Sequence, residues 1–336
     1  MAKVIKLKKD SYNCAKLAVA SGKLYGTDKI KELMNLEFDE ILRFLEENGF
    51  RNSVDKSYLQ YNGFYLVERV LNDHLSEIYK SVFAGANKVN QKLLESYYLK
   101  YQVHNILVVL RCKLANEEEF ETYLIGDSKQ KSNYIKAFAM PSKEDALEYL
   151  VKKLGFNSET ALEHFKSGLY NLENYLYKTY YTKLNELNFK FNNIDEKNFS
   201  NFIRNYIDLL NARTYLRLKV EDSKSLNFKD FYMFGGRLVL EDFTSLNSKN
   251  LDETLKSFNE TFGQIEGIDS DSFESLDQRI SHHKKDSESL FNGVRFGSPF
   301  FALKFLFKVE KEMNQLRVLL KAKYLKLDKA EIERLI

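Results

Sequence analysis

The residues with which this chain could do chemistry stand at spacings that match no catalytic or metal site. It has five histidines and two cysteines. His282 and His283 are adjacent in a charged segment, whereas helical metal-binding pairs stand four residues apart, so we expect a solvated loop there. Cys14 and Cys112 form neither a C-x-x-C pair nor a disulfide framework. No Ser–His or Cys–His arrangement can be assembled from the spacing. We therefore expect no metal, no cofactor and no catalytic residues.

Two glycine-containing phrases resemble phosphate loops but lack the full pattern. Gly22-Lys23 is not part of a G-x-x-x-x-G-K-[ST] sequence, and Gly235-Gly236 is not part of G-x-G-x-x-G. We interpret Gly22 as a helix break. The phrases "GKL" and "GRL", at Lys23 and Arg237, recur 214 residues apart, which indicates a structural repeat instead of nucleotide binding.

Composition and charge exclude further classes of protein. The net charge is only +3 and the charged residues, 29% of the 336, are of interleaved sign. A nucleic-acid binder shows a concentrated basic face, so we expect no nucleic acid as partner. The longest uncharged runs are about ten residues, whereas a membrane span needs about twenty. The charged opening "MAKVIKLKKD" predicts no signal peptide, and the cysteine usage fits a reducing cytoplasm.

The scarcity of helix breakers predicts an all-α fold. The chain has two Pro and fourteen Gly, against about seventeen and about twenty-four at average usage. Apolar residues recur at three- and four-residue intervals, as in "DEILRFLEENGF" and "EDALEYLVKKLGF". Such spacing is typical of amphipathic helices.

One phrase occurs three times at nearly constant spacing. It reads "NILVVLRCK", "NARTYLRLK" and "QLRVLLKAK", and it begins at Asn105, Asn211 and Gln315, which are 106 and 104 residues apart. We call these three residues the anchors. Basic residues stand six and eight positions after each anchor, and they are Arg111, Lys113, Arg217, Lys219, Lys321 and Lys323.

Two more landmarks precede each anchor. Acids between apolar positions, Glu68, Glu173 and Asp277, stand 37 or 38 residues before it. Further back, "DEIL", "EDAL" and "DETL" each open an amphipathic helix. These helices should end near Gly49, Gly155 and Gly263, and Ser142 and Asn250 stand where N-caps belong, whereas Glu37 departs from that pattern.

Landmarks in one order, three times over, predict three homologous helical domains. We place them at residues 1–114, 115–222 and 223–336. The period is too long for a solenoid of short repeats, so each unit should bury its own core. Three similar domains suggest an approximately three-fold body, a shape that suits a ring or an axial hole.

The phrase itself predicts a core-facing helix with polar ends. At 100° per residue, the apolar positions one, four and five after the anchor share an arc with the Lys at +8. The −3 residues Gln102, Asp208 and Glu312 share that arc too. Two interpretations stay open. Either these polar groups serve the helix ends, with Lys stems along apolar surface and acids meeting backbone donors, or they reach a hydrated axis or a partner. The basic residue at +6 lies on the opposite side, where it is solvated or pairs with a neighbouring helix.

These motifs resemble those of the C subunits of the V/A-type rotary ATPases, which are homologues of the d subunit of eukaryotic V-ATPases. The family's N-terminal phrase is matched by "YNCAKLAVASGKL", with Lys16 where Arg is frequent. Its Y-x-x-D-x-x-N-x-x-x-x-L-R-x-K phrase is matched by "YIDLLNARTYLRLK", and by "YLKYQVHNILVVLRCK" with Gln102 in place of Asp. Its C-terminal phrase is matched by "EKEMNQLRVLLKAK". The resemblance covers nearly the whole chain.

The resemblance implies a non-catalytic central-stalk subunit. Such a subunit is a funnel of three helical domains on the cytoplasmic face of the membrane. It sits on the membrane rotor ring of proteolipid subunits and receives the central shaft. It turns with the rotor and transmits torque between ATP hydrolysis or synthesis and H⁺ or Na⁺ transport. On this basis we expect the polar groups of the anchor phrases to line the funnel.

Two other classes stay open. A free-standing helical scaffold would bind cytosolic proteins and show no association with membranes. A hydrolase with an unrecognised site is the third class. Neither the transported ion nor the net direction of ATP turnover can be read from these residues.

Overall fold

A computed structural model describes residues 2–186, 194–220, 227–262, 294, 298 and 300–335. Every regular element in these ranges is helical, and no strand occurs among them, which confirms the all-α prediction. Asp277 and Gly263 lie outside the described residues, as do His282 and His283, so their expected roles stay predictions.

The described helices are numbered in chain order. They are α1 (Ala2–Ser21), α2 (Thr27–Leu33), α3 (Phe38–Leu45), α4 (Arg51–Tyr58), α5 (Gly63–Gly85), α6 (Lys88–Ala115), α7 (Ser128–Phe138), α8 (Lys143–Lys153), α9 (Ser158–Lys166), α10 (Leu169–Glu186), α11 (Ile194–Val220), α12 (Phe228–Phe231), α13 (Leu240–Thr244), α14 (Leu251–Phe262), α15 (Phe300–Tyr324) and α16 (Lys329–Leu335). A π-helical turn spans Glu46–Phe50 and a 3₁₀ segment spans Glu118–Tyr123.

The predicted helix starts carry the expected caps. The Ser142 hydroxyl accepts a hydrogen bond from the Asp145 backbone N–H at 2.9 Å. Asn250 and Glu253 exchange two such bonds, one in each direction. The sequence predicts that Glu37 does not cap a helix in the way that Ser142 and Asn250 do, but the structure shows a related cap there. Glu37 is the N-cap of α3, and its backbone N–H donates to a carboxylate three residues on, as in a capping box.

The glycines predicted to end helices do so where they are described. Gly155 follows α8 with φ of 65°, and the Phe156 N–H donates to the Val151 carbonyl at 3.0 Å. This is the Schellman arrangement, which requires a left-handed residue. Gly49 has a φ of 108° and interrupts the helical path between α3 and α4. The break at Gly22 is also present, because α1 ends at Ser21.

The three anchor phrases lie on long helices, α6, α11 and α15, which we call the anchor helices. Their predicted stripe is buried. The residues at +1, +4 and +5 are all at most 4% exposed: Ile106, Val109, Leu110, Ala212, Tyr215, Leu216, Leu316, Leu319 and Leu320. The helical periodicity therefore identified the core-facing side of each anchor helix.

Each anchor helix packs against elements of another predicted repeat. For the first two anchor helices it is the next repeat along the chain, and for the third it is the first repeat. Helix α6 contacts the 3₁₀ segment, α7 and α8, and α11 contacts α12 and α14. Helix α15 lies in the last repeat, and it packs against α1, α3 and α5 of the first. We call the three sets of contacts the first seam, the second seam and the closing seam.

The boundaries of the compact units in the structure differ from those of the predicted repeats. One unit comprises Met1–Glu173 with Phe296–Ile336, and the other comprises Asn174–Arg295. An anchor helix that packs on the following repeat places parts of two repeats in one compact body. The boundaries at 114/115 and 222/223 therefore stay a prediction about homology, which packing density does not address.

Candidate functional site: the seams between the repeats

The two anchor asparagines make the same contact in the first and second seams. The Asn105 amide donates to the Ile125 carbonyl at 2.7 Å and accepts from the Ile125 N–H at 3.0 Å. The Asn211 amide does both with Met233, each at 2.8 Å. Both asparagines are 1% exposed. A carboxamide offers the complementary donor and acceptor of a peptide group, so each anchor binds the chain that enters the next repeat.

We expect Asn105→Ala and Asn211→Ala each to lower the free energy of unfolding by about 2–3 kcal/mol. Each substitution leaves a buried backbone N–H and a carbonyl without a partner, and such orphaned groups cost about 1–3 kcal/mol each. Urea denaturation followed by circular dichroism measures the change. Asn52→Ala, at an exposed position of α4, is the matched control and should change stability by less than about 0.5 kcal/mol. Equal effects at all three positions would contradict the assignment.

Two of the three lysines at +8 bind carbonyls near helix ends. The Lys113 ammonium donates to the Phe138 and Met140 carbonyls at 2.7 and 2.8 Å, where α7 ends. The Lys219 ammonium donates to the Leu246 carbonyl at 2.6 Å, just beyond α13. Carbonyls at a helix C-terminus lack intrahelical partners and attract cations. These lysines therefore join an anchor helix to a helix end of the next repeat.

The acids at −3 accept backbone N–H groups. Asp208 binds the N–H of Arg237 at 2.9 and 3.0 Å and that of Leu238 at 3.1 Å. A Cβ at Gly236 would lie 1.9 Å from a carboxylate oxygen of Asp208, so a side chain there would require that carboxylate to move. Burial raises the pKa of Asp208 although these hydrogen bonds oppose the shift.

In the closing seam Glu312 does the same with the Tyr25 N–H. Burial raises the pKa of Glu312 to about 7, and the Tyr25 hydrogen bond only partly offsets that rise. Arg237 and Leu238 lie in the "GRL" phrase, and Tyr25 directly follows the "GKL" phrase, so each recurring phrase lies at or next to a segment bound by a −3 acid. In the first seam Gln102 occupies the −3 position and lines a cavity of about 480 Å³ together with Asp127 and Gln130.

Two of the three basic residues at +6 pair with acids that the sequence singled out as landmarks. The Arg111 guanidinium lies 2.6 Å from the Glu173 carboxylate, and the Lys321 ammonium lies 2.5 Å from that of Glu68. In both pairs the basic residue of one repeat meets the acid of the next repeat in order. Arg217 is exposed, and the third landmark acid lies outside the described residues.

The sequence motifs did not identify two charged residues that form contacts in the closing seam. Glu310 is buried and binds Lys100 at 2.7 Å, and Arg317 lies 2.9 Å from Glu68. With Lys321 they stand at seven- and four-residue spacing and so share the side of α15 away from the apolar stripe. The spacing of these charged residues along one side of α15 was the available signal.

The remaining motif residues, Gln315 and Lys323, are half-buried on α15. The structure thus places anchor-phrase residues at the first, second and closing seams. Their predicted role as the lining of a funnel stays a prediction.

Comparison with known proteins addresses the whole chain. The family model for the ATP synthase (C/AC39) subunit matches residues 14–335. The chain belongs to this family. Its curated relatives include the C subunit of the A-type ATP synthase of Archaeoglobus fulgidus, which is 28% identical over 96% of this chain and 95% of its own length. The corresponding A-type ATP synthase proteins of Methanococcoides burtonii and Methanosarcina acetivorans are 26% and 25% identical, over 95% and 93% of this chain and 91% and 88% of their own.

The C/AC39 family match encloses the described contacts of all three seams. In this member of the family, none of the helices in the described ranges is long and apolar enough to cross a bilayer. Within those same ranges, no three His, Cys, Asp or Glu side chains are grouped as metal ligands. Both cysteines are buried, and burial raises the pKa of the Cys112 thiol to about 11.

Proposed function

We propose that this protein is a non-catalytic rotor subunit of an A/V-type ATP synthase. It would link the membrane rotor ring to the central shaft on the cytoplasmic face of the membrane and transmit torque. The observation that carries the proposal is the single C/AC39 family match over residues 14–335. The transported ion and the direction of ATP turnover would be set by other subunits.

The seams support this proposal on mechanical grounds. An element that transmits torque must resist rotation of its parts against one another. Each seam joins an anchor helix to the following repeat through buried side-chain contacts of fixed geometry, as with Asn105 and Asn211. Buried hydrogen-bonded polar groups stiffen an interface because sliding would leave them without partners.

The test of the proposal is affinity purification of the tagged chain from its native membranes in mild detergent. We expect to recover a small, very hydrophobic ring protein and nucleotide-binding subunits, together with ATPase activity. Recovery of the chain alone, or only with cytosolic proteins, would refute the rotor assignment and favour a free-standing scaffold.

The three-domain organisation and the lining of a funnel are finer parts of the proposal. If Asp208 and Lys219 line the funnel, Asp208→Ala and Lys219→Ala should weaken binding of the central shaft. If they serve only the second seam, each substitution should lower the melting temperature and leave shaft binding unchanged. Their bonds to the backbone at Arg237 and Leu246 support the second outcome.

A further inference from the structure

A cavity of about 480 Å³ lies in the first seam, between α5, α6, the first turn of α7 and the end of α8. These four helices belong to one compact unit. Pockets of roughly 300–1,000 Å³ hold small organic ligands in proteins. The side chains that line this cavity therefore indicate which ligand it accepts.

The first seam lacks the acid that binds backbone N–H groups in the other two. Asp208 and Glu312 accept such bonds at the −3 position of the second and closing seams. Gln102 stands at this position in the first seam, where the Gln130 N–H is bound at 2.9 Å by Asp127, the N-cap of α7. Gln102 is half-buried and lines the cavity, and within the described ranges its carboxamide makes no hydrogen bond. Its donor and its acceptor are both available to a ligand.

One wall of the cavity is aromatic and is fixed in place. Tyr79, Phe83 and Tyr98 pack on one another with ring centroids between 5.0 and 6.2 Å apart. The Tyr79 hydroxyl donates to Glu310 at 2.5 Å, and the Tyr98 hydroxyl donates to the Ile125 carbonyl at 3.1 Å. Because both hydroxyls are engaged within the protein, this wall offers a ligand mainly ring surface. A planar ring packs well against such a wall.

The charges at the cavity that are free to bind a ligand are more positive than negative. Lys80, Lys153 and Glu95 are exposed and line the cavity. In the described part of the chain none of the three has an ion-pair partner, and the Lys153 ammonium lies 5.5 Å from the centre of the Tyr149 ring. The Asp127 carboxylate is bound by a backbone N–H at the N-terminus of α7, where the helix dipole offsets negative charge. Two free ammonium groups against one free carboxylate favour an anionic ligand.

We propose that this cavity binds an adenine nucleotide. In the complex the adenine ring packs against the aromatic wall, as bases do on aromatic side chains elsewhere. The Gln102 carboxamide exchanges two hydrogen bonds with the N6/N7 edge of adenine. Lys80 and Lys153 bind the phosphate as point charges. This binding is a property of the isolated chain and does not rest on the rotor function.

Isothermal titration calorimetry of the purified chain tests the proposal, with AMP as the probe. Adenosine, which lacks the anion, and inorganic phosphate, which lacks the ring, are the comparison ligands. We expect AMP to bind tighter than either by about ten-fold or more, because charge-assisted hydrogen bonds are the strong ones. No binding of AMP at millimolar concentration, or binding no tighter than that of phosphate, would overturn the proposal. GMP should bind more weakly than AMP, and equal binding would overturn the assignment of Gln102 to the adenine edge.

A pair of neighbouring lysines tests whether AMP binds in this cavity. Lys153→Gln removes one of the two free positive charges and should weaken AMP binding by about five-fold or more. Lys152→Gln is the matched control, because the Lys152 side chain pairs with Glu148 on α8 and does not line the cavity. This control should leave the affinity for AMP unchanged. Equal affinities of the two variants would show that AMP binds elsewhere and would overturn the proposal.

Gln102→Glu tests the carboxamide with almost no change in side-chain size. It introduces the acid that the other two seams carry at the −3 position, and its negative charge should weaken AMP binding by about ten-fold or more. Thermal unfolding followed by circular dichroism shows whether the variant is folded, and if it is not, Lys153→Gln decides alone. Undiminished AMP binding by the folded variant would contradict the proposed site.

Discussion

Glu310→Ala is expected to lower the free energy of unfolding by about 3–5 kcal/mol, the range for removing one partner of a buried ion pair. The substitution leaves Lys100, whose side chain is 22% exposed, without its carboxylate. It also leaves the hydroxyls of Tyr79, Tyr97 and Tyr101 without their acceptor. Denaturant titration at neutral pH measures the loss.

Three further variants separate the contributions of the charge, the hydrogen bonds and the cation to this loss of stability. Glu310→Gln keeps an acceptor oxygen but not the charge, so its loss should be smaller. Glu333→Ala, at an exposed position of α16, should cost less than about 0.5 kcal/mol. Lys100→Met, alone and with Glu310→Ala, completes a double-mutant cycle whose coupling should be about 1–3 kcal/mol. A coupling near zero would show that the cation does not stabilise the carboxylate.

Glu312→Gln is expected to stabilise the protein at alkaline pH and to leave its stability nearly unchanged at acidic pH. Burial raises the pKa of Glu312 from 4.5 in the unfolded chain to about 7 in the folded protein. Its contribution is therefore fully present below about pH 4.5, declines as the pH rises, and is lost above about pH 7. A shift of about 2.5 units corresponds to about 3 kcal/mol.

Glutamine resembles the protonated carboxyl and can still accept the Tyr25 N–H. The difference in unfolding free energy between Glu312→Gln and the native chain should therefore be near zero at pH 4. It should reach about 3 kcal/mol in favour of the variant at pH 8.

The environment of Glu312 explains why this titration should be visible. Helix α15 packs against α1, α3, α5 and α16. Burial raises the pKa of Glu312, and the hydrogen bond from the Tyr25 backbone N–H opposes that rise. Glu333→Gln is the exposed control, and its difference curve should be flat. A flat curve for Glu312→Gln as well would show that the carboxyl stays ionised or hydrated in the folded protein.

Much of the local structure was predictable because it depends on near neighbours in the chain. The caps at Ser142 and Asn250 and the helix end at Gly155 follow from hydrogen bonds that close within five residues. The apolar stripe of each anchor helix follows from helical periodicity alone. The capping box that begins at Glu37 was missed because a glutamate is an unusual N-cap.

The partners of the anchor residues were not predictable in the same way. Periodicity placed the polar ends of the phrases on the apolar arc, and it left open whether they reach solvent or backbone donors. Asp208 and Glu312 meet backbone N–H groups 29 residues downstream and 287 residues upstream. No rule about neighbouring residues identifies such partners. The one signal in the sequence was that the bound N–H groups lie in the "GRL" phrase and directly after the "GKL" phrase.

The sequence by itself determined the helical class, the three-fold recurrence of the anchor phrase and the membership of the C/AC39 family, because periodicity and spacing are properties of the linear chain. Only the tertiary structure decided that each anchor helix packs against elements of another predicted repeat, and that α15 packs against α1, α3 and α5. It also decided that Glu310 is a buried ion-pair partner. The physical reason is that a charge on a helix is solvated or buried according to what packs on it, and in this protein the packing element lies more than two hundred residues away.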